Sequence, residues 1–201
     1  MQSFLHGTLL HDSGYFHLWI SSVEETVFFD CGDDKAFFMT VLQDNLSPRQ
    51  KLSELQVRTI GYSSEIVLLA YSLTATGVHL LVHTTRKAAI EELGQALLFS
   101  YQTYIQQQQR SDQLPFDSIF IFDKLVGRHE AFNVSREIHQ LHEDWRYDRY
   151  SSIGFYLDDR RGDWIHPYRL TSLFGGKPKH YLQYMKSQET ESDRLFEYLE
   201  T

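Results

Sequence analysis

Residues 68 to 83 read LLAYSLTATGVHLLVH. Two apolar runs flank the polar stretch Thr74-Ala75-Thr76-Gly77, a pattern that predicts a strand, a turn and a second strand. Successive side chains on a strand point to opposite faces. Gly77, His79, Leu81 and His83 therefore share one face, and Val78, Leu80 and Val82 share the other. His79, alone within an apolar strand, reads first as a half-buried, hydrogen-bonded histidine. Gly77 is assigned to the turn, with a positive φ that glycine adopts at no steric cost.

Outward from this pair, Gly14 to Val23 (GYFHLWISSV) is aromatic and β-branched and predicts a strand. Val27-Phe28-Phe29 follows an acidic turn. Asp33 and Asp34 open a predicted helix in which Ala36, Phe37, Val41 and Leu42 recur at helical spacing, and Pro48 ends it. Arg49 to Arg58 is predicted as a further short helix. Glu65 to Leu73 and Val78 to Val82 are the central strands. Lys87 to about Gln109 is the longest helix, with Ile90, Leu93, Leu97, Leu98, Tyr101, Tyr104 and Ile105 as its apolar stripe. Ser118 to Phe122 is a strand. Asn133 or Ser135 is expected to cap a helix reaching about Trp145. A charged turn, Asp158 to Asp163, precedes short elements at Trp164 to Phe174 and Lys179 to Lys186, and a last helix lies near Arg194 to Leu199. Strands and helices in this non-alternating order predict an α+β fold with an antiparallel sheet. Without repeats or a linker, residues 1–186 are expected to form a single domain, followed by an acidic tail over 187–201.

The chain has 201 residues, 42% of them hydrophobic and 14% aromatic, the profile of a packed globular protein. One cysteine, Cys31, excludes an intrachain disulfide and suits a reducing compartment. MQSFLHGTLLHDSG lacks the basic start and sustained apolar core of a signal peptide. No apolar run approaches the ~20 residues of a membrane span. The expected location is the cytoplasm, with no membrane partner. Against 27 acidic residues stand 19 Lys and Arg, a net charge of −8. Nucleic-acid binding draws much of its affinity from neutralised phosphates, so this balance counts against it. The noticeable basic concentration is Arg160-Arg161 with Lys177, Lys179 and His180, bordered by Asp158, Asp159 and Asp163. It is either a solvated surface or the remnant of a nucleic-acid path.

Several short segments occur in a telling order: Tyr15-Phe16-His17-Leu18-Trp19, Val27-Phe28-Phe29-Asp30, Ala70-Tyr71-Ser72-Leu73 and Val78-His79-Leu80-Leu81-Val82. Arg136-Glu137-Ile138-His139, Tyr150-Ser151-Ser152, Tyr156-Leu157, Leu173-Phe174 and Tyr181 follow. Over residues 14–186 this order resembles the single-tyrosine HUH transposases, in particular the REP-associated tyrosine transposase branch. The resemblance implies a ferredoxin-like antiparallel sheet with helices packed on it. It also implies a His-hydrophobic-His strand that binds a divalent metal, and a helix tyrosine that attacks a DNA phosphodiester to form a 5′-phosphotyrosine link. A polar metal ligand follows that tyrosine by one helical turn. The metal neutralises the scissile phosphate, and the covalent link conserves bond energy for strand transfer.

Carried over position by position, Gly77 stands where the first metal histidine would be and His79 where the second would be. Glu137 stands at the nucleophile position and Leu141 at the last ligand. The expectation is a transposase-like pseudoenzyme with no cofactor, still binding hairpin or single-stranded DNA or RNA, as a monomer or a homodimer. Arg160, Arg161, Lys177 and Lys179 are its candidate nucleic-acid contacts. Two alternatives stay open. One is an interaction or scaffold protein without nucleic acid, which the net charge favours. The other is an active transposase with a rebuilt metal site. For that site His83 lies roughly 13 Å along the strand from His79, too far to share an ion. His139 and His142, three apart on a helix, are better placed, and Glu137 could ligate, although as a nucleophile it would give a labile acyl phosphate. Tyr147 and Tyr150 are candidate displaced nucleophiles, while Tyr101 and Tyr104 are expected in the core.

Overall fold

The computed structural model describes residues 13–22, 27–48, 61–108 and 118–187. Along the chain run β1 (Gly14–Ser22), α1 (Gly32–Leu46), β2 (Ile66–Leu73), β3 (Gly77–Thr84), α2 (Lys87–Gln107) and β4 (Ser118–Leu125). The strands form one sheet in the order β2-β3-β1-β4, antiparallel at each pairing. The expected α+β class and antiparallel sheet are what the chain forms. Each long helix connects two strands that have one other strand between them: α1 joins β1 to β2 across β3, and α2 joins β3 to β4 across β1.

Strand alternation sorts the core into two layers. Phe16, Leu18 and Ile20 of β1 and Val78, Leu80 and Val82 of β3 pack with Phe38 and Leu42 of α1 and Ile90, Leu93, Leu97 and Tyr101 of α2. Their removal from water, at about 25 cal/mol per Å² of apolar surface, is the main stabilising contribution. On the opposite face lie α3 (Arg128–His139) and α6 (Pro178–Lys186). Phe132 and Ile138 of α3 and Tyr181 and Tyr184 of α6 pack there with Ala70, Leu81 and Leu125 of the sheet. In β2 the register slips between Leu68 and Ala70. This bulge puts Ile66, Leu68, Tyr71 and Leu73 in the first layer but Leu69 and Ala70 in the second. A continuous apolar run can therefore serve both faces.

The free edge of β2 is covered. Leu73 N–H donates to Tyr150 O (3.0 Å), Ser152 N–H to Tyr71 O (2.8 Å) and His166 N–H to Leu68 O (2.9 Å). This segment also carries the short helices α4 (Ile153–Tyr156) and α5 (Tyr168–Thr171). Covering an edge removes a template for strand addition.

Three expectations need correction. Gly77 is a strand residue paired with Ser21, and among the described residues the glycines with positive φ are Gly175 and Gly176. The helix expected from Asn133 or Ser135 to Trp145 spans Arg128–His139 instead, with Gly127 as N-cap and Glu130 in its first turn. Neither Asn133 nor Ser135 caps it. Ser135 Oγ donates back to Phe132 O within the helix (2.6 Å) and lies 3.0 Å from Tyr181 Oη, and Asn133 Oδ1 accepts from Tyr184 Oη (2.7 Å), so a local back-bond and tertiary partners take up groups that otherwise favour caps. Third, β4 extends three residues past Phe122, because β1 offers a pairing partner as far as Tyr15↔Leu125. The helices expected at 49–58 and near 194–199, and the tail beyond Ser187, lie outside the described residues. Among the described residues no helix is long and apolar enough to cross a membrane.

Candidate functional site

His79 lies on the α3 side of the sheet, opposite Trp19 on β1 and Ser72 on β2. Its Nδ1 is 3.1 Å from His17 Nε2, and the two rings stack at 5.3 Å. Trp19 stacks on its other neighbour side at 5.7 Å and 16°. Burial, then the adjacent His17, lowers the His79 pKa to about 4. Burial also lowers that of His17, opposed by Asp123 across the strand. Both rings are therefore neutral near pH 7, and one N–H suffices to join them, donated by one nitrogen and accepted by the other. Ser72 is fully buried beside them, its Oγ without a hydrogen-bond partner among the described residues. Farther along this face Trp19 (38%) and Ile121 (42%) stay exposed.

The positions assigned by resemblance to metal and nucleophile are not gathered into a metal centre. A Cβ built on Gly77 would overlap the Ile20 carbonyl oxygen and sit 3.1 Å from Ser21 Cα, so the β1 backbone occupies the space of a first histidine. His79 Nδ1 is engaged by His17. Glu137 lies on the solvent-facing side of α3, and Leu141 just beyond the helix is exposed. Among the described residues no group of three or more His, Cys, Asp or Glu side chains is placed to hold a metal ion. The residues present do not fit the divalent cation that the resemblance implies.

His139 and His142 do not meet His79 in a shared cluster either. His139 is fully buried, hydrogen-bonded through Nδ1 to Tyr181 Oη (2.7 Å) and through Nε2 to Ser152 Oγ (2.6 Å). Burial, then Arg160, lowers its pKa to about 3. Ser135 Oγ joins Tyr181 Oη at 3.0 Å, and Ser152 Oγ accepts from Tyr71 N–H at 2.8 Å. This buried polar chain ties α3, α6 and the covering segment to β2. His142 Nε2 lies 3.2 Å from Asp148 Oδ2. Tyr101 is core and Tyr104 packs on Phe37. Tyr147 is 81% exposed, and Tyr150 Oη donates to Gly32 O (2.8 Å).

The basic residues divide. Arg160 and Arg161 line an open cleft of about 680 Å³ between α1 and the 149–164 segment, together with Arg149, Tyr150, Phe155 and Trp164. Trp164 stacks on Tyr71 at 5.4 Å. Arg149 lies over the Tyr150 ring (4.6 Å) and Arg160 over Phe155 (4.9 Å). Arg160 donates to Arg149 O (2.9 Å) and to Ser151 O, which anchors the segment. Lys177 and Lys179 start α6 and are exposed; they do not line this cleft. Sequence reasoning missed His17, which only the β1–β3 pairing brings to His79. It also missed the cleft, whose one sequence signal is the interleaving of Arg and aromatic residues from Arg146 to Trp164.

Comparisons with models of protein families, with curated proteins and with solved structures returned no match for this chain.

Proposed function

We propose that the chain is a catalytically inactive relative of the single-tyrosine HUH transposases that binds hairpin or single-stranded nucleic acid without cutting it. The connectivity supports this reading: two crossover helices and a β2-β3-β1-β4 sheet are the β-α-β-β-α-β arrangement of ferredoxin-like folds. The observation that carries the inactive half is the filling of the Gly77 site by the β1 backbone. Beside it, the lone His79 is spent on His17. A pair of neutral imidazoles carries no charge with which to neutralise a phosphate. A carboxylate at Glu137, turned to solvent, repels it.

The test is a gel shift with a DNA hairpin, a scrambled strand and a blunt duplex at low salt, with and without Mg²⁺ or Mn²⁺. The expected result is hairpin or single-strand binding that weakens steeply with salt and leaves the DNA intact. No shift at low salt removes the nucleic-acid half. A metal-dependent nick or a covalent protein–DNA adduct removes the inactive half. A second reading, an interaction module without nucleic acid, is favoured by the net charge of −8; in the same experiment it predicts no shift with any strand.

A further inference from the structure

We propose that the cleft between α1 and the 149–164 segment binds one nucleotide unit, with its base against the Arg–aromatic wall and its phosphate at Arg149 and Arg161. This deepens the nucleic-acid reading above by naming a subsite, and for a free nucleotide it stands without that reading.

Size comes first. About 680 Å³ falls within the range of small-molecule sites and far exceeds the needs of a bare anion. Charge comes next. The protein carries a net −8, yet three guanidiniums converge on this cleft. Their roles differ. Arg160 is committed to the carbonyls of Arg149 and Ser151. Arg149 gives one donor to Tyr150 Oη (2.6 Å), and Arg161, 85% exposed, sits 3.5 Å from Asp158. A guanidinium has five N–H donors in a planar fork, so both rim arginines retain donors for phosphate oxygens.

The lining chemistry selects more than phosphate. Tyr150 and Phe155 are half-buried rings, each with a guanidinium over it. Aromatic rings and guanidinium planes are what unpaired bases stack on, at about 1–3 kcal/mol per base. Asp33 also lines the cleft. Its carboxylate disfavours an unaccompanied anion but accepts from the exocyclic amine of a base.

The experiment is calorimetric titration of the full chain at low salt with AMP, with a 5′-phosphorylated adenine tetranucleotide and with inorganic phosphate. Both nucleotides are expected to bind with sub-millimolar Kd and phosphate alone not to. The double variant Arg149→Ala/Arg161→Ala should weaken nucleotide binding about tenfold or more while still unfolding in one cooperative urea transition, its midpoint lowered only slightly by loss of the exposed Arg149–Tyr150 contact. Absence of nucleotide binding, equal binding by the variant, or equal affinity for phosphate alone overturns the proposal. A blunt hairpin separates the two readings. If wild type and variant bind it equally while neither takes a nucleotide, the cleft assignment falls and the hairpin reading stands. Nucleotide binding with no hairpin binding has the reverse meaning.

Discussion

His17 Nε2 and His79 Nδ1 lie 3.1 Å apart across the β1–β3 pairing, a diagonal contact between residues 62 positions apart in the chain. The pairing gives His79 a partner of its own kind in a place where the resemblance expects a metal. Burial makes both imidazoles costly to protonate, and the adjacent His17 adds to that cost at His79, while Asp123 offsets part of it at His17.

Acid should therefore destabilise the protein. The His79 pKa is about 4 in the fold and that of His139 about 3, against an ordinary 6.5. Between those values the unfolded chain binds protons that the folded chain does not. Stability is then full above about pH 6.5 and falls as pH drops toward 4 and 3. Urea midpoints at pH 7.5, 6, 5 and 4 should decline stepwise, and His79→Asn should make the decline shallower. An identical slope in the variant would show that His79 has no part in the acid limit.

Restoring the family's first histidine should fail. At Gly77 even a methyl group meets the Ile20 carbonyl, and backbone cannot yield as a flexible side chain does. Gly77→Ala should cost about 1–3 kcal/mol, and Gly77→His more, with no gain in Mn²⁺ affinity by calorimetry. A stable Gly77→His protein that binds Mn²⁺ tightly would show that the β1 backbone leaves room for the side chain.

The buried chain Ser135–Tyr181–His139–Ser152 should respond as a unit. Tyr181→Phe leaves His139 Nδ1 without a partner and should cost about 1–3 kcal/mol. Ser152→Ala strips both His139 Nε2 and Tyr71 N–H and should cost a similar amount. Because both truncate the bonding of one ring, the double variant should cost clearly less or more than the sum. Strict additivity in denaturation would dissolve the network into separate contacts.

Ser72 gives the opposite sign. Its Oγ is buried without a partner among the described residues, so Ser72→Ala removes a desolvated group and little volume. The expected change is neutral to about 1 kcal/mol stabilising. A loss of more than that would reveal a bonded water or ligand at the hydroxyl.

Arg160 should prove structural where Arg161 does not. Arg160→Lys keeps the charge but cannot reproduce the fork that reaches two carbonyls, and should lower the urea midpoint. Arg161→Lys, at a residue 85% exposed, should leave it unmoved.

Local patterns decided most of the secondary structure. The alternation of Val78 to Val82, the helical stripe from Ile90 to Ile105 and the stop at Pro48 depend on neighbours a few residues away, and sequence contains those neighbours. Strand order was not legible, because it depends on which backbone donors find acceptors in distant segments. The same reason hid the true start of α3. Asn133 and Ser135 have the chemistry of caps, but Tyr184 and Tyr181, about fifty residues on, engage them instead, together with the Phe132 carbonyl for Ser135. At the site the sequence supplied His79, Gly77, Glu137 and the Arg160-Arg161 pair. Tertiary packing alone supplied His17 beside His79, the carbonyl that fills the place of a side chain at Gly77, and the fold-back of residues 149–164 onto β2 that brings three arginines to the lining of a cleft.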